Sequence, residues 1–327
     1  MIIENAKTYD VKDVEDLFFR PSFCGKAANE LGIRVLYNMP QPTKVPLFTH
    51  NNDIVKSFAS GWQGGDAATM EQKTIQLNKL KAESAYSAED YFSTLYELIT
   101  NSAEVNLGDL TGTDLEKAET ELFRRAIADS VYASLWYGDT TGDVSNRTGF
   151  DGFISYLIYF YENIDVIPTM HIHEEAMTEK VVDILRDAWK SAPTDLRDLV
   201  SDGELAYFVS SDIYDAYQFF LDDNGLSNTY SAEAESRPTL YYHGIPLVEV
   251  PTARYEPSRG ASFCLLTDRR NLVLALNTAD SPEKEIRMWY NPDEMENRQR
   301  VVFLAGTTVV DEYLLSCTIF DAGLTLV

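Results

Sequence analysis

No apolar run in this chain reaches the roughly 18 residues of a candidate membrane helix; the longest nearly apolar stretch, Phe153 to Tyr161, falls well short. The stretch MIIENAKTYDVKDVEDLF meets charges almost at once and lacks the basic start and apolar centre of a secretory signal, so the expectation is a soluble protein made in a cytoplasm. Cysteine is scarce: Cys24, Cys264 and Cys317 are odd in number and far apart, which excludes a disulfide scaffold and fits a reducing compartment. Basic residues are outnumbered, 27 Lys+Arg against 52 Asp+Glu, for a formal charge of −25. That balance speaks against sequence-specific DNA or RNA binding and against an anionic membrane surface, both of which want a basic face. Signatures of common chemistry are missing too. There is no Gly-x-Ser-x-Gly elbow, no phosphate loop ending in Gly-Lys-Ser/Thr and no Cys-x-x-Cys pair. Asn146-Arg147-Thr148 matches a glycosylation sequon, a pattern frequent by chance in a chain with no other sign of secretion.

What is present is ordinary globular composition, 45% hydrophobic and 24% charged in 327 residues. At roughly 150 residues per domain this is two domains, or one large domain with insertions. Prolines at 21, 40, 42 and 46 punctuate the first forty-odd residues, which read as an extended arm with a short helix around Val11 to Phe19. KVPLF, a polar glycine-bearing stretch (Gly61-Trp62-Gln63-Gly64-Gly65-Asp66) and MEQKTIQLNKLKAE then predict a long β-hairpin over Asn51 to Lys81, since Ile75 and Leu77 alternate with Thr74, Gln76 and Asn78. Its flanks are too polar to bury both faces, so it is expected to project and to lie on something other than the subunit's own core. Gly61, Gly64 and Gly65 lack the Lys-Ser/Thr and the helix start of a phosphate cradle; a flexible tip is the simpler reading.

A helix is expected over AEDYFSTLYELIT, capped by Ser87, and a longer one from Thr113, where Thr113 and Glu116 form a capping-box pattern. Leu115, Leu122, Ile127 (or Ala126), Val131 and Leu135 recur at helical spacing, and Gly138 ends a rod about 35 Å long. EEAMTEKVVDILRDAWKSAP reads as an amphipathic helix with Val181, Ile184, Leu185 and Trp189 on one face. LAYFVSS reads as a buried strand, SDIYDAYQFFLDD as a capped helix, and the last third as β. Helices in the middle and strands at the end give an α+β class.

The sharpest chemical candidate is Met170-His171-Ile172-His173-Glu174-Glu175. Two histidines two apart share one face of a strand, and a nearby carboxylate would complete a zinc or iron site for a metal-dependent hydrolase. A metal needs three or four convergent ligands, however, and Glu174 and Glu175 read as the acidic first turn of the next helix. The expectation is therefore no metal, no cofactor and no enzyme, with both histidines structural.

The order of elements resembles that of the major capsid proteins of tailed double-stranded DNA viruses, the Hong Kong 97 fold. NKLKAESAYSAEDYFSTL resembles the family's return from its extended loop. TDLEKAETELFRRAIADSVYASLWYGDTTG with TGFDGF resembles its spine helix and glycine turn, LAYFVSSDIYDAYQFFL and TLYYHGIPLVEVP its axial-domain helix and strand, and RNLVLAL, EIRMWY and NRQRVVFLAGTTVV its closing strands. The resemblance implies an N-terminal arm over 1–44, an extended loop over 45–85, a peripheral domain over 86–168, an axial domain over 169–275 and a return to the peripheral domain over 276–327. It further implies pentamers and hexamers in an icosahedral virion shell, assembled in a host cytoplasm around double-stranded DNA without sequence-specific contact. Portal and possible decoration proteins would be partners, and the missing coiled-coil extension implies a separate scaffolding protein. Trp62, Gln63, Gly64, Gly65 and Asp66 would form the inter-subunit contact at the loop tip, and Leu115, Leu122, Ile127, Val131 and Leu135 the inward side of the spine helix. Some family members join a loop lysine covalently to a distant asparagine; Lys73, Lys79 and Lys81 lie in or near the hairpin, but no asparagine stands out as a partner. The same fold implies an alternative, an encapsulin-type cellular compartment. The acidic charge is compatible with a container whose contents must slide inward without tight phosphate binding.

Overall fold

Asp114–Tyr137 forms the long helix α1, beginning one residue after the Thr113 cap position read from the sequence. In the computed structural model the described residues are 31–37, 43–50, 57, 60, 68–87, 114–142, 147–164, 167–225, 239–252, 261–277, 287–321 and 324–326. The helices expected at Val11 to Phe19 and at AEDYFSTLYELIT lie outside them. The other helices among the described residues are α2 (Phe153–Asn163), α3 (Val181–Ser191), α4 (Thr194–Asp198) and α5 (Ser211–Asp223). The strands begin with β1 (Arg34–Tyr37), β2 (Thr43–His50), β3 (Ala68–Ile75) and β4 (Asn78–Ser87). They continue with β5 (Met170–His173), β6 (Met177–Glu179), β7 (Leu205–Ser210), β8 (Tyr241–Tyr242), β9 (Ile245–Val250) and β10 (Ser262–Asp268). The last are β11 (Leu272–Asn277), β12 (Arg287–Asn291), β13 (Glu296–Val309), β14 (Leu315–Phe320) and β15 (Leu324–Leu326).

A six-stranded sheet runs β5-β14-β10-β7-β9-β8, and a five-stranded sheet runs β1-β11-β13-β12 with β4 also paired to β13. The first sheet is covered on both faces, which is why β7 and β10 are continuous apolar runs without alternation. On one face Tyr207, Val209, Cys264 and Leu266 pack against Val181, Ile184 and Leu185 of α3 and Ile213 and Tyr217 of α5. On the other, Phe208, Phe263, Leu265 and Cys317 join the helices α1 and α2 and the inner side of the five-stranded sheet (Leu274, Val301, Phe303) in one core. Cys264 pairs with Thr318 and Leu265 with Cys317 in the register, so the two thiols point to opposite faces and both are free and buried. Burial holds the Cys264 thiol up at about 12, protonated and unreactive.

Helix α1 joins this core mainly through its C-terminal half. Ile127 is buried, Val131 partly so and Leu135 fully, while Leu122 is only half-buried and the side chain of Leu115 lies outside the described residues. From Tyr132 onward every side is covered, because the last turns run between the two sheets. Trp136 sits there with no exposed surface, its ring 5.5 Å from Phe153, 5.5 Å from Phe208 and 5.8 Å from Phe263. Gly138 follows the last residue of the helix, and only glycine fits there: a Cβ would lie 2.0 Å from the Phe150 carbonyl oxygen.

Several expectations are corrected. Arg34–Tyr37, within the stretch read as an extended arm, is strand β1, and it is not loose: it pairs in parallel with β11. A helix does not run from Glu174: residues 174–176 are exposed connection, and Met177–Glu179 is β6, paired in parallel with β15. Glu174 and Glu175 are therefore not a first helical turn; α3 starts at Val181 and its early acid is Asp183. The side chain of Ser210 does not cap α5; its hydroxyl accepts from Phe263 N at 3.2 Å on the neighbouring strand. At the β8–β9 turn His243 and Gly244 have φ of 51° and 79°, the two left-handed positions that a tight two-residue hairpin needs.

Two of the crossings between the sheets are short and direct, and they are tied to each other. Residues Arg269–Asn271 carry β10 into β11, and residues 310–314 carry β13 into β14. The buried Asn271 amide donates to the Asp311 carbonyl at 2.8 Å and accepts from Asp311 N at 2.8 Å. Thr267 donates to the Leu314 carbonyl at 2.9 Å.

Candidate assembly site

The feature with most to offer a neighbour is the ribbon β2–β3. Its strands pair antiparallel from Thr43 opposite Ile75 to His50 opposite Ala68. Two strands alone are marginal in water, so the ribbon's order depends on what it touches. At its base Val45, Ile75 and the following Leu77 are buried against Val273 and Ala275, on the side of the five-stranded sheet away from α1. This corrects the expectation that the hairpin is separate from the subunit's own core: its base belongs to that core. Close approach there requires glycine in β13, since a Cβ on Gly306 would lie 2.1 Å from the Gln76 carbonyl oxygen.

On its outer side, and beyond the base, the ribbon is polar and open. Lys44, Pro46, Glu71, Gln72 and Thr74 are exposed, and Met70 is 54% exposed. The tip residues Trp62, Gln63, Gly64, Gly65 and Asp66 lie outside the described residues. The paired strand ends at Ile75 rather than Lys81: Lys79 and Lys81 belong to β4, which runs along β13 from Asn78 opposite Ala305 to Ser87 opposite Glu296. Lys81 pairs there with Glu83 at 2.8 Å.

Level with Val45, its partner across the ribbon, Lys73 reaches back to the body. Its ammonium pairs with the carboxylate of Glu312, which is 6% exposed and sits in the crossing between β13 and β14. The Tyr156 hydroxyl on α2 donates to the same carboxylate oxygen. Burial, reinforced by that carboxylate, pushes the Tyr156 hydroxyl well above its ordinary value, so it stays a donor. The ammonium also lies 5.7 Å from the Tyr156 ring centre and 5.8 Å from that of Phe160, within cation–π range.

His171 and His173 do share one side of β5, as the two-residue spacing implies. They border a cleft of about 440 Å³ with Glu179, Asp187, Lys190 and Thr318. Among the described residues no three of His, Cys, Asp and Glu are grouped closely enough to hold a metal ion. His173 instead stacks on Phe320, ring centres 5.1 Å apart and planes 16° apart. Burial first, then the neighbouring His171, lowers its pKa. The fold thus favours neutral His173, a contribution present above the ordinary value of 6.5 and lost as pH falls through the lowered one. Replacing both histidines with Asn is expected to leave the fold intact and to cost about 0.5–1 kcal/mol, the worth of one aromatic pair. Thermal melting checks the cost; stoichiometric metal in the wild-type protein by elemental analysis would contradict the structural role.

No protein-family model matches the chain, and no curated protein does. Among solved structures it is similar to a chain of the satellite phage P4 procapsid including size determination (Sid) protein, at 10% identity and TM-score 0.55, over 95% of this chain and 99% of that one. It is similar to a structure from Microbacterium phage Oxtober96 at 12% identity and TM-score 0.51, over 98% and 96%. It is also similar to the holo-SrpI encapsulin complex from Synechococcus elongatus PCC 7942, at 10% identity and TM-score 0.50, over 97% of each chain. At such identities the likeness is one of fold. The chain has the mixed helix–sheet fold of phage capsid proteins, of the Hong Kong 97 type.

Proposed function

We propose that the chain is a major capsid protein, a structural subunit that assembles with copies of itself into the closed icosahedral shell of a tailed virus around double-stranded DNA. The observation that carries this reading is the agreement of fold with capsid chains over nearly the full length of both. The ribbon supplies the physical reason. A compact subunit offers only its own perimeter, whereas a ribbon anchored at its base and open beyond it can lap over a neighbour. Permanent assemblies bury about 2,000 Å² or more per contact, and laps of this kind add area that convex bodies cannot.

Pentamers and hexamers, a separate scaffolding protein, a portal and possible decoration proteins belong to this reading, as does assembly in a host cytoplasm with the virion as final location. So do the five blocks 1–44, 45–85, 86–168, 169–275 and 276–327 as arm, extended loop, peripheral domain, axial domain and return. Among the described residues no helix is long and apolar enough to cross a membrane.

A second reading, a cellular compartment shell, is favoured by the likeness to the encapsulin complex. Particle contents separate the two. Particles purified from the native source and treated with nuclease are expected to yield protected double-stranded DNA; a protein cargo without protected DNA would favour the compartment instead.

A further inference from the structure

The buried carboxylate of Glu312 has no part in sheet pairing or in either core, yet three elements converge on it. It lies in the crossing that returns the chain from β13 to β14, next to Asp311, which Asn271 binds from the other crossing. Tyr156 reaches it from α2. Lys73 reaches it from the ribbon, 239 residues away in sequence. A carboxylate 6% exposed is costly to bury unless it is paired and hydrogen-bonded, and here the cation that pairs with it comes from an element otherwise held only at its base.

We propose that Lys73 is a positioning residue: its pairing with Glu312 latches the ribbon to the inter-sheet crossing and fixes the direction in which the ribbon leaves the subunit. The inference rests on the shell-forming reading for its consequence, though the latch itself is a property of the single chain. The base contacts of Val45, Ile75 and Leu77 anchor one end. Lys73 faces Val45 directly across the ribbon, so the ion pair lies level with the outermost of these apolar contacts. Apolar contacts alone leave a two-stranded ribbon free to swing, and a directional charge pair at their outer limit removes that freedom. Because Ile75 and Lys73 are two apart on β3, their side chains share one side of the ribbon, so both attachments pull it onto the same body. The aromatic rings of Tyr156 and Phe160 add a flat seat for a cation, the kind of surface on which a guanidinium also stacks. The ribbon's angle is thereby coupled to the crossing: a change in how the two sheets meet at 310–314 carries Lys73 and the ribbon with it.

Hydrogen–deuterium exchange on the full-length, unassembled protein tests the latch. In Lys73→Met, amides of β2 and β3 are expected to exchange roughly tenfold faster than in wild type, while those of β4 paired to β13 stay as they were. Lys73→Met also leaves Glu312 buried without its cation, so the double variant Lys73→Met, Glu312→Gln is the companion. It removes the orphan charge, and the melting temperature should return toward wild type while ribbon exchange stays fast. Lys73→Arg should restore protection of the ribbon, which a merely space-filling role would not predict. Unchanged ribbon exchange in both Met variants would overturn the proposal, as would slow exchange in the double variant alone, which would show that damage from the orphan charge explains the single one. Shell assembly is read separately. If wild-type protein fails to form shells while the exchange pattern holds, the functional reading fails and the latch stands. Shells of unaltered diameter distribution from a fast-exchanging Lys73→Met protein would overturn the claim that ribbon direction matters to assembly.

Discussion

Ile127→Asp is expected to destabilise the subunit by about 3 kcal/mol or more. Ile127 is 5% exposed and belongs to the core shared by both sheets and the two helices α1 and α2. An aspartate there loses the apolar burial of isoleucine, worth roughly 1.5–3 kcal/mol, and adds the cost of a carboxylate with no cation in place. Proton uptake relieves part of that cost, so the variant should be less unstable at pH 5 than at pH 8. The adjacent Ala126→Asp is the matched control. Ala126 is exposed on the same helix turn, so the same new charge there should move stability by no more than about 0.5 kcal/mol. Urea or thermal unfolding of the two variants provides the comparison, and a soluble Ile127→Asp protein with wild-type stability would mean that α1 presents another face to the core.

Removal of Trp62 to Asp66 is the second large effect, and it falls on assembly rather than folding. The described ribbon ends at His50 on one strand and Ala68 on the other, so the deletion shortens the connection beyond them without touching a described pair. Shortening a surface loop costs little in itself, a few tenths of a kcal/mol. The buried base at Val45, Ile75 and Leu77 and the Lys73–Glu312 pair remain. Monomer melting should therefore shift little, while closed particles in electron micrographs should disappear or become irregular. A variant that unfolds as a monomer, or one that builds normal shells, would show that the tip has a different role.

Much of this was legible in the sequence, and the reasons differ by element. Helix α1 announced both ends because a capping box and a glycine bracket a long periodic stretch, and Ile127 and Leu135 followed from the 3.6-residue period. Phe123 and Trp136 were not singled out, although both are buried. The helix becomes covered on every side in its last turns, and there periodicity no longer marks a face. Strands β7 and β10 were legible as apolar runs, the mark of a sheet with both sides covered. The four-residue β1 and three-residue β6 were not, since each owes its existence to a parallel partner far along the chain, β11 and β15. A strand that short has no period to read, and EEAMTEK carried enough helix formers to hide it.

The ribbon shows the same divide at finer scale. Alternation of Ile75 and Leu77 with polar neighbours marked the strand but not its register or its seat, because the surface it meets is Val273 and Ala275, about 200 positions later in the chain. Glu312 was one acid among many. Only the fold, by bringing the second crossing beneath the ribbon, makes it the partner of Lys73.

The most direct test of the central claim is electron cryomicroscopy of the purified full-length chain, alone and co-expressed with neighbouring genes. The expected result is closed icosahedral particles in which the ribbon β2–β3 extends over an adjacent subunit while Val45 and Ile75 stay on their own. A protein that remains monomeric or forms only small soluble oligomers under every condition, or shells in which the ribbon contacts no neighbour, would contradict it.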